Sequence, residues 1–265
     1  VEMGVTDEKI IRLQQVLSKN KRLAVAFSGG IDSTFLLHFA IDTLGGGNVS
    51  AYSCVSAVNT AAALANMRGV FTTHFSKQST LHEIEIYPLS WKEFVSNNDK
   101  RCYYCKKRMY ATLLGEITKD GFYDLAEGTN IDDLKGNRPG LRAIRELNIQ
   151  TPLVEAGLTK QEIRSIAKNI GLINHDLASN SCLATRVKKD TTINSRCLER
   201  IEKAEDYLKK NGFLGCRVKV DGDCAVIEIE KKDFLDFAKD EVRTGVIHTF
   251  YHLGLTQVSL SLTGR

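Results

Sequence analysis

The stretch from Ala24 to Ser33, Ala-Val-Ala-Phe-Ser-Gly-Gly-Ile-Asp-Ser, restricts the fold more than any other part of the chain. Its first half is an apolar run with β-branched and aromatic residues, which reads as a buried strand. Ser28-Gly29-Gly30 then turns the chain, and two residues without Cβ let backbone N–H groups approach a ligand closely. Asp32 or Ser33 is placed to cap a following helix whose apolar face holds Phe35, Leu36, Phe39 and Ala40. Strand, glycine turn and helix N-terminus in this order make an anion site. A plain strand-to-helix turn also uses Gly-Gly, but has no need of the fuller Ser-Gly-Gly-x-Asp-Ser string. That string is neither the dinucleotide fingerprint nor the Walker A loop, because no Gly-Lys-Ser/Thr follows it.

The surrounding pattern predicts an α/β fold, a parallel sheet flanked by helices, with a smaller C-terminal α+β domain. Ile10, Leu13, Val16 and Leu17 mark a first amphipathic helix. Strands are predicted over 24–27, 49–55, 82–89 and 123–127, with a short fifth over 149–154. Helices are predicted between them, one opened by the capping box Thr159-Lys160-Gln161-Glu162. Strands alternating with helices imply a parallel sheet, with ligands at the carboxyl ends of its strands. After about residue 186 a charged helix over 195–210 precedes two strands joined through Asp221-Gly222-Asp223, a hairpin signal. Helical stretches to His252 and a strand over 256–262 follow. The expected division is 1–186 and 187–265. A chain of 265 residues has room for both cores.

The opening residues are charged and amphipathic, unlike a secretory leader, and no apolar run is long enough to span a bilayer. Seven cysteines, an odd number, then point to a reducing, cytoplasmic setting with thiols free or holding metal. A net charge of +4 suits a phosphate-rich small ligand as well as RNA and decides nothing.

Three further segments carry chemistry. Cys102 and Cys105 form the one Cys-x-x-Cys, which alone reads as half a zinc site, a redox pair, an iron–sulfur half-site or nothing. Cys182 lies in a small-residue segment, Ala178 to Arg186, where the neighbouring arginine favours a thiolate. Cys54, Cys197, Cys216 and Cys224 read as structural. The segment Glu127-Gly128-Thr129-Asn130-Ile131-Asp132-Asp133 follows a strand: Gly128-Thr129 lets the backbone come close to a nucleotide, and Asp132 and Asp133 offer hard oxygen ligands for Mg²⁺. Arg138 and Arg142 are placed to meet phosphates, with Arg164 a weaker candidate. Arg186 and Arg217 are candidate contacts for an anionic substrate.

The Ser28–Ser33 loop resembles that of the PP-loop ATP pyrophosphatases. With Arg101-Cys102-Tyr103-Tyr104-Cys105-Lys106, Glu127-Gly128-Thr129-Asn130, Arg138-Pro139-Gly140 and Ser181-Cys182-Leu183-Ala184-Thr185-Arg186 in this order, the chain resembles the LarE family of ATP-dependent sulfur transferases from about residue 20 to about 230. The chain departs from the family at Val226, where a basic residue is expected. The resemblance implies that ATP is split to AMP and pyrophosphate, and that a carboxylate of pyridinium-3,5-biscarboxylic acid mononucleotide is adenylated and then converted to a thiocarboxylate. It implies ATP binding by Ser28, Gly29, Gly30, Asp32, Ser33, Gly128 and Thr129, with Mg²⁺, and a catalytic role for Asp32. It further implies a [4Fe-4S] cluster on Cys102, Cys105 and Cys182, fed by a sulfide source. Members with only the cysteine matching Cys182 give up its own sulfur. A homo-oligomer is expected, and neither membrane nor nucleic acid as partner. The rival readings are a tRNA thiolation enzyme, which usually carries an added RNA-binding domain or paired zinc ribbons, and an amide-forming ATP pyrophosphatase, which has no need of the three cysteines. A nucleotide- or zinc-binding regulator would bind ATP without turnover.

Overall fold

A computed structural model describes residues 5–136, 139–177 and 181–265. In chain order the helices are α1 (Val5–Leu17), α2 (Ile31–Leu44), α3 (Ala61–His74), α4 (Lys92–Val95), α5 (Arg101–Lys119), α6 (Pro139–Glu146), α7 (Pro152–Glu155), α8 (Lys160–Asn169), α9 (Ser195–Lys210), α10 (Phe234–Phe237) and α11 (Asp240–His252). The strands are β1 (Leu23–Ala26), β2 (Val49–Val55), β3 (Thr80–Glu85), β4 (Leu125–Ala126), β5 (Arg217–Asp221), β6 (Cys224–Glu228) and β7 (Gln257–Leu260). They form two compact units. The first takes the described residues of 1–56, 61–86 and 102–180; the second takes 57–60, 87–101 and 181–265. The expected division at 186/187 does not anticipate that the second unit draws on two early segments.

In the first unit four parallel strands lie in the order β3-β2-β1-β4. The chain runs outward from β1 to β2 and β3, then returns to place β4 on the other side of β1. The strand order therefore reverses between β1 and β4, and ligands of open α/β sheets bind outside the carboxyl ends of strands at such a point. Helices cover both faces. One core joins Leu13 and Leu17 of α1, Phe35, Leu36 and Phe39 of α2, Met67 and Phe71 of α3, and Ile163 of α8. The other joins Tyr110, Leu113 and Ile117 of α5 with Phe122 and Ile144. Burial of α2 is nearly all-round, including Phe35, Leu36 and Leu37 at 0% exposure. Each such side chain contributes roughly 1.5–3 kcal/mol, so packing holds α2 and no cap is needed. Its N-cap is Gly30, with no side-chain cap; neither Asp32 nor Ser33 takes that role.

The fifth strand expected over 149–154 is reduced to one bridge, between Ala126 and Gln150. Pro152 starts α7 immediately afterwards, since its fixed φ suits a helix start and its missing N–H cannot extend a ladder. The third strand ends at Glu85, short of the expected Leu89, because Pro88 opens a 3₁₀ turn.

In the second unit β5 and β6 form the antiparallel hairpin, with Gly222 at φ +57 in the turn, and β7 adds parallel to β6. Leu198, Ile201, Ala204 and Leu208 of α9, Val246 and Phe250 of α11, and Phe237 of α10 are buried. The early segments are tied in by hydrogen bonds: Leu183 N–H donates to Val58 O (2.9 Å), Ile193 N–H to Val95 O (3.0 Å), and the Asn97 amide to Lys188 O (2.7 Å). Asn97, only 2% exposed, holds φ +54, a left-handed conformation that Asn tolerates better than most residues. Among the described residues no helix is long and apolar enough to cross a membrane.

Candidate active site

The turn after β1 is cross-linked from within. Ser33 Oγ donates to Gly30 O (3.0 Å), receives Ser28 N–H (3.2 Å) and lies 3.2 Å from Ser28 Oγ, which accepts Gly30 N–H (3.3 Å). Asn174, 4% exposed, donates to Gly29 O and to Thr34 Oγ1, both at 2.9 Å, and Asn66 adds a donor to Gly29 O at 3.3 Å. Gly29 sits at φ +72, and a Cβ there would lie 2.5 Å from Met67 Cα, so only glycine fits.

The turn after β4 meets the same helix end. A Cβ on Gly128 would lie 2.9 Å from Ser33 N and 3.0 Å from the Asp32 carbonyl carbon, so the two backbones touch here. Asn130 links the turns: its amide donates to Asp32 Oδ1 (3.2 Å), while its own Oδ1 accepts Asp132 N–H (2.9 Å). The other Asp32 oxygen pairs with Lys160 Nζ, at the first position of α8. Thr129 N–H donates to Glu127 Oε1 (2.9 Å), and Glu127 Oε2 accepts from Tyr110 (3.2 Å). Glycine backbone, Asp32 and Lys160 thus converge where the strand order reverses. The arrangement offers N–H donors and a cation to phosphate oxygens and a carboxylate to a metal ion.

The sequence-predicted residues divide. Ser28, Gly29, Gly30, Asp32, Ser33, Gly128 and Thr129 come together. Asp133 closes the capping box with the Asn130 N–H (3.1 Å). Asp132 accepts Lys135 (2.6 Å) and the Lys160 N–H (2.8 Å), contacts that hold its carboxyl below the usual range. Arg142 is bound to Glu146 (2.6 Å) over the Tyr103 ring, and Arg164 to the carbonyls of His175 and Leu177 (2.7 and 2.8 Å). Arg138 and Ala178–Asn180 lie outside the described residues.

Cys102, exposed, and Cys105, half-buried, are one turn apart at the start of α5. Burial, with a smaller contribution from Cys105, pushes the Cys54 thiol up to about 12. Among the described residues of the first unit, no third Cys, His, Asp or Glu joins the pair in a metal-binding group. The second unit holds Cys182 at the N-cap of the 3₁₀ turn Leu183–Arg186. There Arg101 donates to Ala184 O (2.8 Å), and Arg186, 4% exposed, forms a buried pair with Glu205 (2.9 Å). Arg217 lies half-buried on β5, its Nε buried without a hydrogen-bond partner.

Sequence reasoning missed Lys160, Asn130, Asn174 and Glu205 as parts of these arrangements. Lys160 carried a signal: a cation at the first position of a helix opposes the helix dipole and calls for a nearby anion.

These features define a parallel α/β protein with a PP-loop-like core. No family model matches the chain. It is 31% identical to the pyridinium-3,5-bisthiocarboxylic acid mononucleotide synthase of Lactiplantibacillus plantarum, over 99% of this chain and 93% of that protein. It is 30% identical to an uncharacterized protein of Synechocystis, over 97% of this chain and 95% of that one. A second uncharacterized relative, from Methanocaldococcus jannaschii, is 30% identical over 96% of each chain. The chain belongs to the LarE family.

Proposed function

We propose that this chain is an ATP-dependent sulfur transferase that adenylates a carboxylate of pyridinium-3,5-biscarboxylic acid mononucleotide and replaces the AMP with sulfur, giving a thiocarboxylate for a nickel-pincer nucleotide. The observation that carries this reading is the glycine turn at the reversal of strand order, with Asp32 and Lys160 beside it. Membership of the LarE family supports the choice of substrate.

A carboxylate resists substitution because its leaving group would be oxide. Adenylation supplies AMP as leaving group instead. The Gly29 and Gly30 backbone and the Lys160 ammonium are placed to receive the departing pyrophosphate, and Asp32 would hold the Mg²⁺ that accompanies ATP, which would supply further charge for the leaving oxygens. Gly128 and Thr129 bring the β4 turn against the nucleotide. Arg217, with an unsatisfied Nε, contacts the anionic substrate. The three soft thiols of Cys102, Cys105 and Cys182 suit iron–sulfur ligation, two of them already one turn apart on α5. A [4Fe-4S] cluster held by three thiolates would supply an open iron able to carry sulfide.

The test is anaerobic incubation of iron-loaded protein with ATP, sulfide and the pyridinium mononucleotide. AMP, pyrophosphate and a thiocarboxylate are expected, and Asp32→Ala should abolish them with the fold intact. ADP as product overturns the ATP chemistry. Each of Cys102→Ala, Cys105→Ala and Cys182→Ala should lose iron and turnover together. An active, iron-free Cys102→Ala protein whose Cys182 loses about 34 Da, the elements of H₂S, to become dehydroalanine overturns the cluster reading in favour of a sacrificial thiol.

A further inference from the structure

Arg186 carries the sequence signature of an anion ligand, yet protein oxygens crowd its guanidinium. Nε and Nη2 donate to the two Glu205 oxygens at 2.9 and 3.4 Å. Nη1 lies within hydrogen-bond reach of four oxygens: Ser181 O (2.6 Å), Ser181 Oγ (2.7 Å), Cys182 O (3.1 Å) and Thr185 Oγ1 (3.1 Å). Glu205 is itself fixed, accepting the Val218 N–H of β5 at 3.2 Å, with Lys209 at 3.8 Å. The pair is almost wholly buried, with side-chain exposures of 4% and 2%.

We propose that Arg186 and Glu205 form a clamp that positions Cys182, with Glu205 of α9 a positioning residue for the thiol. The Ser181 carbonyl belongs to the peptide before Cys182 and the Cys182 carbonyl to the peptide after it. Arg186 holds both. Thr185 adds its N–H (3.0 Å) and hydroxyl (2.8 Å) to the Cys182 carbonyl, and the next N–H, of Leu183, is held by Val58 O (2.9 Å). A residue whose two flanking peptide planes are fixed has fixed φ and ψ, and its Cα–Cβ direction follows. Glu205 sets the chain of contacts by fixing the guanidinium plane, since a bidentate carboxylate leaves Arg one orientation.

The kinetic arm of the test rests on the proposed role of Cys182 in sulfur transfer; the labelling arm does not. Glu205→Gln keeps an acceptor for Val218 N–H but turns a donor toward Arg186. Arg186→Lys keeps the charge but lacks the planar fork. The paired change Arg186→Met with Glu205→Leu removes both charges together, a replacement that buried ion pairs often tolerate, and secures a folded protein without the clamp. Native protein is treated with iodoacetamide, and each cysteine is followed by peptide mass spectrometry. Cys182 should alkylate faster in the variants by about fivefold or more, following its looser turn, while Cys102 serves as an internal control that stays within about twofold. Turnover should fall roughly 100-fold in kcat with KM for ATP unchanged. Wild-type Cys182 alkylation in folded variants overturns the clamp. Should Cys182→Ala retain full turnover, the catalytic reading of Cys182 fails and labelling alone still decides the clamp.

Discussion

The two glycines of the β1 turn face opposite demands, and alanine substitution separates them. At Gly29 the backbone is left-handed, φ +72, and a Cβ would lie 2.5 Å from Met67 Cα and 3.1 Å from Met67 N. These are backbone atoms of α3, so no rotamer change relieves the clash. The left-handed conformation costs an alanine about 1–2 kcal/mol and the forced backbone shift about 1–3 kcal/mol, giving about 2–5 kcal/mol for Gly29→Ala. For a chain of this size that lowers Tm by roughly 4–20 °C. Gly30 has φ −76 and ψ 158, ordinary for any residue, and its Cβ would meet only Ser28 Oγ, at 3.3 Å. Gly30→Ala should therefore melt within about 2 °C of wild type while crowding the surface that phosphate must approach, with ATP affinity falling about tenfold or more. Melting is followed by far-UV circular dichroism, because the single tryptophan, Trp91, belongs to the second unit and the turn to the first. ATP binding is followed by isothermal titration calorimetry. Equal melting temperatures for the two variants would refute the steric argument. Wild-type ATP affinity in Gly30→Ala would refute the assignment of this turn to phosphate.

Lys160→Met leaves the α8 capping box in place but removes the cation beside Asp32; ATP cleavage should fall roughly 10²- to 10³-fold with little loss of stability, and unchanged cleavage refutes a role for Lys160 in phosphate chemistry. Burial pushes the Cys54 and Cys216 thiols up to about 12, against an ordinary value of 9.0. The folded chain thus keeps two protons that the unfolded chain loses, and stability should decline as pH rises from 9 toward 12. Cys54→Ala and Cys216→Ala should each flatten that decline in urea unfolding; slopes identical to wild type would remove these thiols as its cause.

What the sequence made legible was local. Ala24 to Ser33 announces strand, turn and helix within ten residues, and Thr159 to Glu162 announces a capping box that the structure reproduces, Thr159 Oγ1 accepting the Glu162 N–H at 3.3 Å. Capping by Asp32 or Ser33 is the instructive miss: tertiary burial of Phe35, Leu36 and Leu37 replaced the local stabilisation that a cap would give. Asn174 reaches Gly29 across 145 positions and Lys160 reaches Asp32 across 128, and no periodicity encodes such separations. Glu205 stands in a helix whose composition reads as a solvated charged surface; that this one carboxylate turns inward is decided by Arg186, nineteen positions earlier. Arg142 and Arg164 are met in the folded chain by the Glu146 carboxylate and by the His175 and Leu177 carbonyls, partners that their places in the sequence did not reveal.

The interleaved make-up of the second unit bears on how the polypeptide is born. A ribosome releases residues 57–60 and 87–101 long before 181–265, so the Val58 carbonyl, the Val95 carbonyl and the Asn97 amide emerge before Leu183, Ile193 and Lys188 exist to meet them. The parallel sheet, complete once β4 is made, is free to form while these segments wait. Closing contacts over some ninety positions slows folding because the loop entropy is spent before the contacts repay it. A fragment beginning at residue 181 would reach the solvent with Leu183 and Ile193 N–H groups stripped of their acceptors. The Cys182 turn is thus assembled only after the glycine turn that follows β1 has left the exit tunnel.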